Sequence, residues 1–325
     1  MVQPRSEPLD LVVLHEHSEW QKPLFAALER RGIAFRAFDL KSAAFDEADA
    51  PAAKLYFNQA SPSAYLRGNV RAVPFALAMM RNLEEKGARV LNGSRAFALE
   101  LSKSAQAALL RRLGIKGPRT ITFNDAKAVE RHAATFPWPA LLKPEQGGSG
   151  ARMFLLESFT ELTRLLEQQP ELWLPDNLLL LQEKIDYDPS HGIVRMEFVG
   201  GELLYAMRVV SHGSFNLCPS ELCNPEDGEG GACAVPEVKP AAPVEFFPYP
   251  EVSAEAVEAG RKIIRVGGLD VAGIELIETQ AGPVFYDINA NSNLRAPIAA
   301  AFGFDPFERV VDFLEREIAR GGAAA

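Results

Sequence analysis

The sequence predicts an N-terminal α/β domain with an open sheet, followed by two α+β lobes. Strand-like apolar runs alternate with helix-like segments over residues 1–95, which is the pattern of a sheet with helices packed on it. A glycine-rich turn then lies between two apolar strands within residues 138–156. A hairpin that carries acidic and amide side chains follows at residues 272–291.

The N-terminal domain begins with an apolar run at residues 9–14, which is typical of a buried parallel strand. Residues 19–31 follow with Leu24 and Leu28 at helical spacing, and Gly32 ends the helix. The other predicted elements of this domain are strands at residues 33–40, 54–58 and 89–92 and a helix at residues 72–86.

The rest of the chain divides into two predicted lobes, residues 96–187 and residues 188–325. One long helical stretch, residues 94–113, leads into the first lobe, which has a further helix at residues 158–168. Residues 219–250 of the second lobe are rich in Gly, Pro and Glu. Long irregular segments are usually functional or disordered, so two interpretations stay open: a surface loop, or a lid over a substrate.

The segment Lys143-Pro-Glu-Gln-Gly147-Gly148-Ser149-Gly150 has the composition of an anion-binding turn. Glycines let backbone N–H groups approach an anion closely, and the lysine supplies a point charge to the same anion. The segment is not a Walker A loop, because no Gly-Lys-Ser/Thr follows the glycines and no helix follows directly. The pattern indicates a nucleotide phosphate as the ligand, and a plain hairpin turn is the alternative.

Three oxygen-bearing side chains lie on the C-terminal hairpin. Asp287 and Asn289 are two residues apart, so they point to one face of their strand, and Glu275 on the partner strand can face them. Mg²⁺ usually takes one or two carboxylates and completes its shell with water and phosphate. Together with the upstream turn, the triplet favours a metal site over a polar strand end that faces solvent.

With these motifs in this order, the sequence resembles the ATP-grasp superfamily of carboxylate–amine ligases over residues 90–315. The likeness is greatest to the branch that adds amino acids, such as the glutamate ligases. Ser102-Lys103 resembles the start of the family's nucleotide domain, and residues 114–120 resemble its strand entry. The resemblance implies a two-lobed ATP-grasp fold preceded by the open-sheet domain.

The resemblance also implies roles for individual residues. ATP contacts are implied for Lys103, Lys143, the turn Gly147, Gly148, Ser149 and Gly150, and the adenine hinge Gln182, Glu183, Lys184 and Ile185. Arg195 and Arg208 correspond to arginines on paired strands that face the phosphates and the acyl phosphate. Glu275, Asp287 and Asn289 match the family's metal triad, which implies Mg²⁺, or Mn²⁺ in its place.

Some positions depart from the family pattern. Ser102 replaces the usual aspartate before the lysine, and Asp287 stands where glutamate is commoner. Asn291 and Asn293 stand where many members have Ser-Pro-Gly, so the end of the site that binds the acceptor differs. Asn216 lies where an asparagine of the active site often occurs.

His15 follows the first predicted strand, and ligands bind at the carboxyl ends of strands in open α/β sheets. A substrate contact is therefore one interpretation of His15. A metal ligand and an ordinary loop residue are the alternatives, and the spacing of His15 and His17 does not match a helical zinc site.

The composition excludes several classes of protein. The chain has 325 residues, 47% of them hydrophobic, which is ample for a core, and its net charge of -9 gives no electrostatic footprint for nucleic acid. No stretch approaches the roughly 20 apolar residues that span a bilayer, and the N-terminus lacks an apolar signal core, so a cytoplasmic location is predicted. The three cysteines suggest neither a disulfide framework nor a zinc site.

The sequence therefore predicts an ATP-dependent ligase that joins a carboxylate to an amine through an acyl phosphate. Its partners are small carboxylate and amine substrates, with no nucleic acid and no membrane, and homo-oligomerisation is left open. Two alternatives remain: a kinase-like phosphotransferase with the same fold, and a nucleotide-binding module without catalysis. No residue in the sequence identifies a base for the amine.

Overall fold

The computed structural model describes residues 9–148, 150, 152–211, 244–292 and 294–321. These residues form three separate β-sheets. The strands are β1 (Leu9–His15), β2 (Phe35–Asp39), β3 (Ala53–Gln59), β4 (Arg89–Leu91), β5 (Thr120–Phe123), β6 (Ala140–Pro144), β7 (Phe154–Leu156), β8 (Leu179–Glu183), β9 (Ile193–Val199), β10 (Glu202–Val210), β11 (Glu245–Pro248), β12 (Val271–Thr279) and β13 (Gly282–Asn289).

Helices connect and cover these sheets. The α-helices are α1 (Ser18–Arg30), α2 (Ala72–Glu85), α3 (Ser94–Glu100), α4 (Lys103–Leu113), α5 (Glu130–Ala133), α6 (Phe159–Gln168), α7 (Ala254–Gly267), α8 (Ala296–Ala300) and α9 (Pro306–Ala319). Short 3-10 helices lie at Pro62–Arg67, Ala126–Val129 and Pro170–Trp173. In the described part of the chain, no helix is long and apolar enough to cross a bilayer.

The N-terminal sheet is parallel, in the order β2-β1-β3-β4. Successive side chains of a strand point to opposite faces, and both faces of β1 are fully buried. Val12 and Leu14 pack under α2, whereas Leu11 and Val13 pack against α1 and α9. A parallel sheet covered on both faces is the usual arrangement for such strands, and it holds the carboxyl end of β3 at the functional pocket.

The second sheet has the order β5-β8-β6-β7 and is antiparallel. One face buries Leu142, Leu156 and Leu181 with Leu162 and Leu166 of α6. The sheet brings β6 and β8 side by side, which are the strands that carry Lys143 and Gln182.

The third sheet has the order β11-β10-β9-β12-β13 and is also antiparallel. Its helix-covered face packs on α4 and α7. Gly260 of α7 allows this close packing, because a Cβ at that position would lie 2.6 Å from the ring of Phe198. The opposite face of the sheet is left to border the pocket.

A buried asparagine joins the N-terminal sheet to the third sheet. Asn92 follows β4 at φ 50°, a conformation that asparagine tolerates better than most residues. Its Oδ1 accepts from the backbone N–H of Asp270 at 2.8 Å, and its Nδ2 donates to the backbone oxygen of Val271 at 2.8 Å. Asn92 is 0% exposed, so these bonds fix the start of β12 against the end of β4.

Two predicted segments differ in the structure. The single helical stretch predicted at residues 94–113 is two helices, because Ser102 adopts an extended conformation and caps α4 through Ala105 N at 3.1 Å. The predicted irregular segment 219–250 includes β11, which pairs with β10. Residues 219–243 lie outside the described residues.

Candidate functional site

A pocket of about 460 Å³ lies between the N-terminal sheet, the glycine-rich turn and the open face of the third sheet. Its polar lining includes Ser61, Glu100, Arg195, Asp287 and Arg295. Another cavity, of about 410 Å³ beside Lys41 and residues 68–72, contains none of the predicted site residues. The pocket on the third sheet is therefore the candidate functional site.

Cross-strand register brings the predicted cation ligands and Arg195 together. Glu275 on β12 lies opposite Asp287 on β13 and opposite Arg195 on β9. The Arg195 guanidinium donates from Nη1 to Glu275 at 2.8 Å and from Nε to Glu197 at 2.6 Å. A Cβ on Gly273 would lie 2.3 Å from Nη2 of Arg195, so any side chain at this position would displace the guanidinium.

The carboxylates of the site are held by cations. Lys103 donates from Nζ to Oδ1 of Asp287. Burial alone raises the pKa of a carboxyl, but Lys103, Lys143 and Arg195 together hold the pKa of Asp287 below its ordinary value. Burial and the Asp287 charge raise the pKa of Glu275. Asp287 is thus the better anion of the two for a bound cation.

The donor set fits a magnesium ion that also binds phosphate. Within the described ranges, no three His, Cys, Asp or Glu side chains gather in a group that could hold a metal. The set here is two carboxylates, Glu275 and Asp287, with the amide of Asn289, whose Nδ2 donates to Gly273 O at 3.3 Å. The amide oxygen of Asn289 is then the atom available to a cation, and Mg²⁺ needs few protein ligands when phosphate is present.

Lys143 is buried beside the predicted adenine hinge. It is 9% exposed, and its Nζ donates to Oε1 of Gln182 at 2.5 Å. Burial lowers the pKa of Lys143 to about 8. Within the described ranges, no carboxylate oxygen lies within 4.0 Å of Nζ of Lys143, and the phosphate contact of this lysine stays a prediction.

The other hinge residues follow on β8 and just beyond it. Gln182 also donates from Nε2 to Thr120 at 3.2 Å, and Glu183 accepts from the backbone N–H of Arg119 at 2.9 Å. Lys184 forms an ion pair with Asp186, and Ile185 packs on the apolar cluster that includes Tyr205 and Met207. The structure therefore brings the hinge next to Lys143, and its contact with adenine stays a prediction.

The glycine-rich turn borders the pocket at Gly147, Gly148 and Gly150, whereas Ser149 lies outside the described residues. A Cβ on Gly148 would lie 2.7 Å from Cβ of Ser63, so only glycine permits the turn to approach the N-terminal domain this closely. Gly147 lies beside the Lys103 side chain, since a Cβ on Gly147 would lie 3.8 Å from Cε of Lys103. The turn therefore spans from Lys103 to the N-terminal domain.

Arg208 does not lie in the pocket, and the expectation that it shares a face with Arg195 is wrong. Arg195 pairs with Met207 in the register of β9 and β10, so Arg208 points to the helix-covered face. There its guanidinium lies 4.5 Å from the ring centroid of Tyr249 and 3.8 Å from Glu278. A difference of one residue in register exchanges the two faces of a strand, and the sequence alone does not specify that register.

The three predicted substrate residues fall in different places. Asn291 lines the pocket, and its Nδ2 donates to the backbone oxygen of Gln59 at 3.0 Å. His15 is buried, packs edge-on against Phe25 at 5.8 Å and does not line the pocket. The substrate interpretation of His15 is therefore corrected to a core position, where burial lowers the pKa of its imidazole. Asn216 lies outside the described residues.

Glu145 supplies a carboxylate near the position where Ser102 replaces the family's aspartate. Glu145 accepts from the backbone N–H of Ser104 at 3.1 Å and from its hydroxyl at 2.6 Å, and Ser102 also donates to it. A carboxylate at a helix N-terminus is favourable, so Glu145 stabilises the start of α4 and thereby the position of Lys103. Nothing local in the sequence signals this contact, because 41 residues separate Ser104 from Glu145.

Glu100 and Arg295 are pocket residues that the sequence did not identify. Glu100 is 3% exposed, and its Oε1 accepts from the backbone N–H of Asn291 at 3.2 Å. Its Oε2 has no hydrogen-bond partner in the described part of the chain, and burial raises the pKa of Glu100 to about 8. A glutamate on an amphipathic helix and an arginine after a strand have no distinctive local pattern.

Comparisons with known proteins support the fold and the ligase interpretation. No family model matches the chain. It is 26% identical over 302 residues to a probable alpha-L-glutamate ligase of Cellvibrio japonicus, covering 90% of each chain. It is 23% identical over 238 residues to a probable alpha-L-glutamate ligase of Haemophilus influenzae, covering 73% of this chain and 70% of the relative.

Solved structures of ATP-grasp ligases share the overall fold. A RimK domain ATP-grasp protein from Sphaerobacter thermophilus superimposes with a TM-score of 0.66 at 17% identity, covering 94% of this chain and 98% of that one. D-alanine–D-alanine ligase from Bacillus anthracis, complexed with ATP, gives 0.64 at 12% identity, with 98% and 99% covered. The predicted ATP-grasp fold is therefore confirmed.

Proposed function

We propose that the protein is an ATP-dependent ligase that joins a carboxylate to an amine through an acyl phosphate. The observation that carries this proposal is the convergence of Lys103, Asp287, Glu275 and Arg195 on one pocket beside a glycine-rich turn. The relatives named probable alpha-L-glutamate ligases support an amino acid as one of the two substrates.

In the first step, an oxygen of the substrate carboxylate attacks the γ-phosphorus of ATP, and ADP leaves. Phosphoryl transfer depends chiefly on positioning and on neutralising charge. Lys103 and Lys143 neutralise phosphate oxygens, and Arg195 is placed to stabilise the charge on the transferred group. Glu275, Asp287 and Asn289 would hold Mg²⁺, which supplies Lewis-acid neutralisation of phosphate oxygens when bound.

Binding of phosphate would also separate the ion pair between Lys103 and Asp287. Lys103 is paired with Asp287 in this structure, so a phosphate that draws Lys103 away leaves the Asp287 carboxylate for a cation. Lys143 has a lowered pKa in its buried position, and an anion beside it favours the charged form. Nucleotide and metal are therefore expected to bind cooperatively.

In the second step, the amine attacks the acyl carbon, the bond from that carbon to the phosphate oxygen breaks, and inorganic phosphate leaves. The nitrogen loses a proton to solvent or to a nearby base as the amide forms. Water must be kept from the acyl phosphate during this step. The contact of Gly148 with Ser63 closes the pocket on the side of the N-terminal domain, which supports this role.

Trapping of the intermediate tests the proposal. Purified protein is screened for ADP release with ATP, Mg²⁺ and a panel of amino acids and dipeptides, and hydroxylamine then replaces the amine. We expect a hydroxamate of the acid substrate, because hydroxylamine intercepts an acyl phosphate. ADP release that yields a stable phosphoester and no hydroxamate would identify a phosphotransferase instead.

A further inference from the structure

Arg295 lines the pocket, and the described part of the chain gives its side chain no ion pair with a carboxylate. It lies between β13 and α8, where its backbone N–H donates to the hydroxyl of Tyr205 at 2.8 Å. Its guanidinium carbon lies 3.3 Å from the ring centroid of Phe246 on β11. Within the described residues, no carboxylate oxygen comes within 4.0 Å of its guanidinium nitrogens.

The neighbouring cations of the pocket, in contrast, are paired with carboxylates in this structure. Arg195 contacts two carboxylates, and Lys103 contacts Asp287. Burial and the nearby Arg195 lower the pKa of Arg295 to about 10, against the opposing effects of Tyr205 and Glu197, and the guanidinium stays charged at neutral pH. A half-buried guanidinium near another cation is costly without an anion, so an anionic ligand at Arg295 is strongly favoured.

The position of Arg295 separates it from the phosphate end of the pocket. Phe246 on β11 lies opposite Val209 on β10, and β9 separates β10 from β12. Three strand spacings, about 14 Å, therefore lie between the strand beneath Arg295 and β12, which carries Glu275. Asp287 is one strand farther still. Arg295 therefore lies toward the β11 edge of the sheet, whereas Asp287 lies on the opposite edge strand, β13.

The rest of the lining indicates what kind of molecule carries that anion. Trp20, Leu24 and Phe307 border the same pocket and are mostly apolar. A ligand there meets a cation and apolar surface, which suits a small organic carboxylate better than a free inorganic anion. A guanidinium binds a carboxylate through two parallel hydrogen bonds, so it also fixes the orientation of the ligand.

We propose that Arg295 binds a carboxylate of the amine substrate, which makes that substrate an amino acid or a peptide. The proposal rests on the proposed ligase function and assigns one end of its site. The acyl carboxylate lies at the end with Lys103 and Asp287, and the carboxylate on Arg295 holds the second substrate with its amino group directed toward the acyl carbon.

Calorimetric titration without turnover tests this assignment. The full chain, with ADP and Mg²⁺ and again without them, is titrated with glycine, L-alanine, L-leucine and L-glutamate and with the α-amide of each. We expect at least one free acid to bind, and its α-amide to bind at least tenfold more weakly. Arg295→Met should weaken binding of that acid by about 10- to 150-fold, the range for a lost charged hydrogen bond, and Arg295→Lys should weaken it less.

Arg309→Met is the matched control. Arg309 is also a cation beside an aromatic ring, 5.6 Å from Phe304, but it is 56% exposed and does not line the pocket. This variant should bind the acid like the wild type.

Three results would overturn the assignment. They are a wild type that binds none of the acids, equal binding of acid and amide, and unchanged binding by Arg295→Met. A further result would also contradict the assignment: if both Arg295 variants lose affinity for ADP by the same factor as affinity for the acid, the role of Arg295 is purely structural. A chain that binds the acid through Arg295 but forms no hydroxamate contradicts the ligase proposal alone.

Discussion

Lys103 and Asp287 form an ion pair across the pocket, so the lysine predicted to bind phosphate is held by the carboxylate predicted to bind metal. The lysine side chain is 15% exposed and the carboxylate is 21% exposed, so both can be reached by a ligand. Asp287 therefore takes the place of the phosphate that Lys103 is predicted to bind, and Lys103 takes the place of the metal ion that Asp287 is predicted to bind. This ion pair therefore links the predicted nucleotide site to the predicted metal site.

The Asp287→Asn, Asn289→Ala double variant should lose Mg²⁺-dependent turnover and keep weak nucleotide binding without metal. The variant removes the negative charge of one predicted ligand and the whole side-chain amide of another, whereas the hinge at Gln182–Ile185 lies on another sheet. Turnover is measured as ADP release, and nucleotide affinity by calorimetry in EDTA. Turnover at the wild-type rate would place the metal elsewhere.

Lys143→Met should weaken ATP binding severely, because it removes a charge directed at phosphate; the loss is on the order of 1.5–3 kcal/mol. The affinity is measured by calorimetry. Unchanged affinity in a protein with a native circular-dichroism spectrum would contradict the role of Lys143.

The same substitution should change the pH dependence of stability. The folded pKa of Lys143 is about 8, below the ordinary 10.5. As pH falls from 10.5 toward 8, Lys143 gains its proton in the unfolded chain before it does so in the folded protein. The free energy of unfolding of the wild type therefore falls by a few kcal/mol over this range, whereas that of Lys143→Met does not. Urea unfolding at pH 7 and pH 10.5 should show that the variant's relative stability is greater at pH 7, whereas the exposed control Lys127→Met should show no such difference.

Glu100→Gln should stabilise the protein near neutral pH. The folded pKa of Glu100 is about 8, above its ordinary 4.5, because the carboxyl is buried. The wild type therefore has its full stability below pH 4.5 and loses a few kcal/mol as pH rises to 8, where the unfolded chain is already ionised. Unfolding at pH 4.5 and pH 8 tests this, with the exposed Glu258→Gln as control. Equal effects of the two variants at pH 8 would contradict the burial of Glu100.

Arg195→Met should lower kcat at least about 100-fold, as the loss of one preorganised donor to developing charge commonly does. Arg208→Met, on the opposite face of the same sheet, should change kcat less than about twofold. Steady-state ADP release with each variant measures both effects. A larger loss of kcat in Arg208→Met than in Arg195→Met would mean that the active site is on the helix-covered face of the sheet.

The parts of the site that the sequence predicted are those that local geometry determines. The turn after Lys143 and the hairpin that pairs Glu275 with Asp287 each involve neighbouring strands joined by a short connection. The pattern of these segments is sufficient to predict their pairing. The four N-terminal strands were also predicted, since helix or turn signals bound each of these segments.

The features that escaped prediction depend on register or on distant contacts. Arg208 was assigned from a resemblance, and the sequence does not specify the register of β9 and β10 that turns its side chain to the helix-covered face. Arg295 reaches the pocket because Tyr205, 90 residues away, anchors its backbone, and Glu145 contacts Ser104 across 41 residues. No local pattern encodes contacts of this kind.

Isotope transfer from the acid to phosphate tests the central claim most directly. An acyl phosphate forms when a carboxylate oxygen bonds to the γ-phosphorus, and that oxygen leaves with phosphate when the amine attacks. With the acid substrate labelled by ¹⁸O at both carboxylate oxygens, mass spectrometry should find one ¹⁸O in each released phosphate, and the amide should keep the other. Amide formation with unlabelled phosphate, or ADP release without any amide, would contradict a ligase that acts through an acyl phosphate.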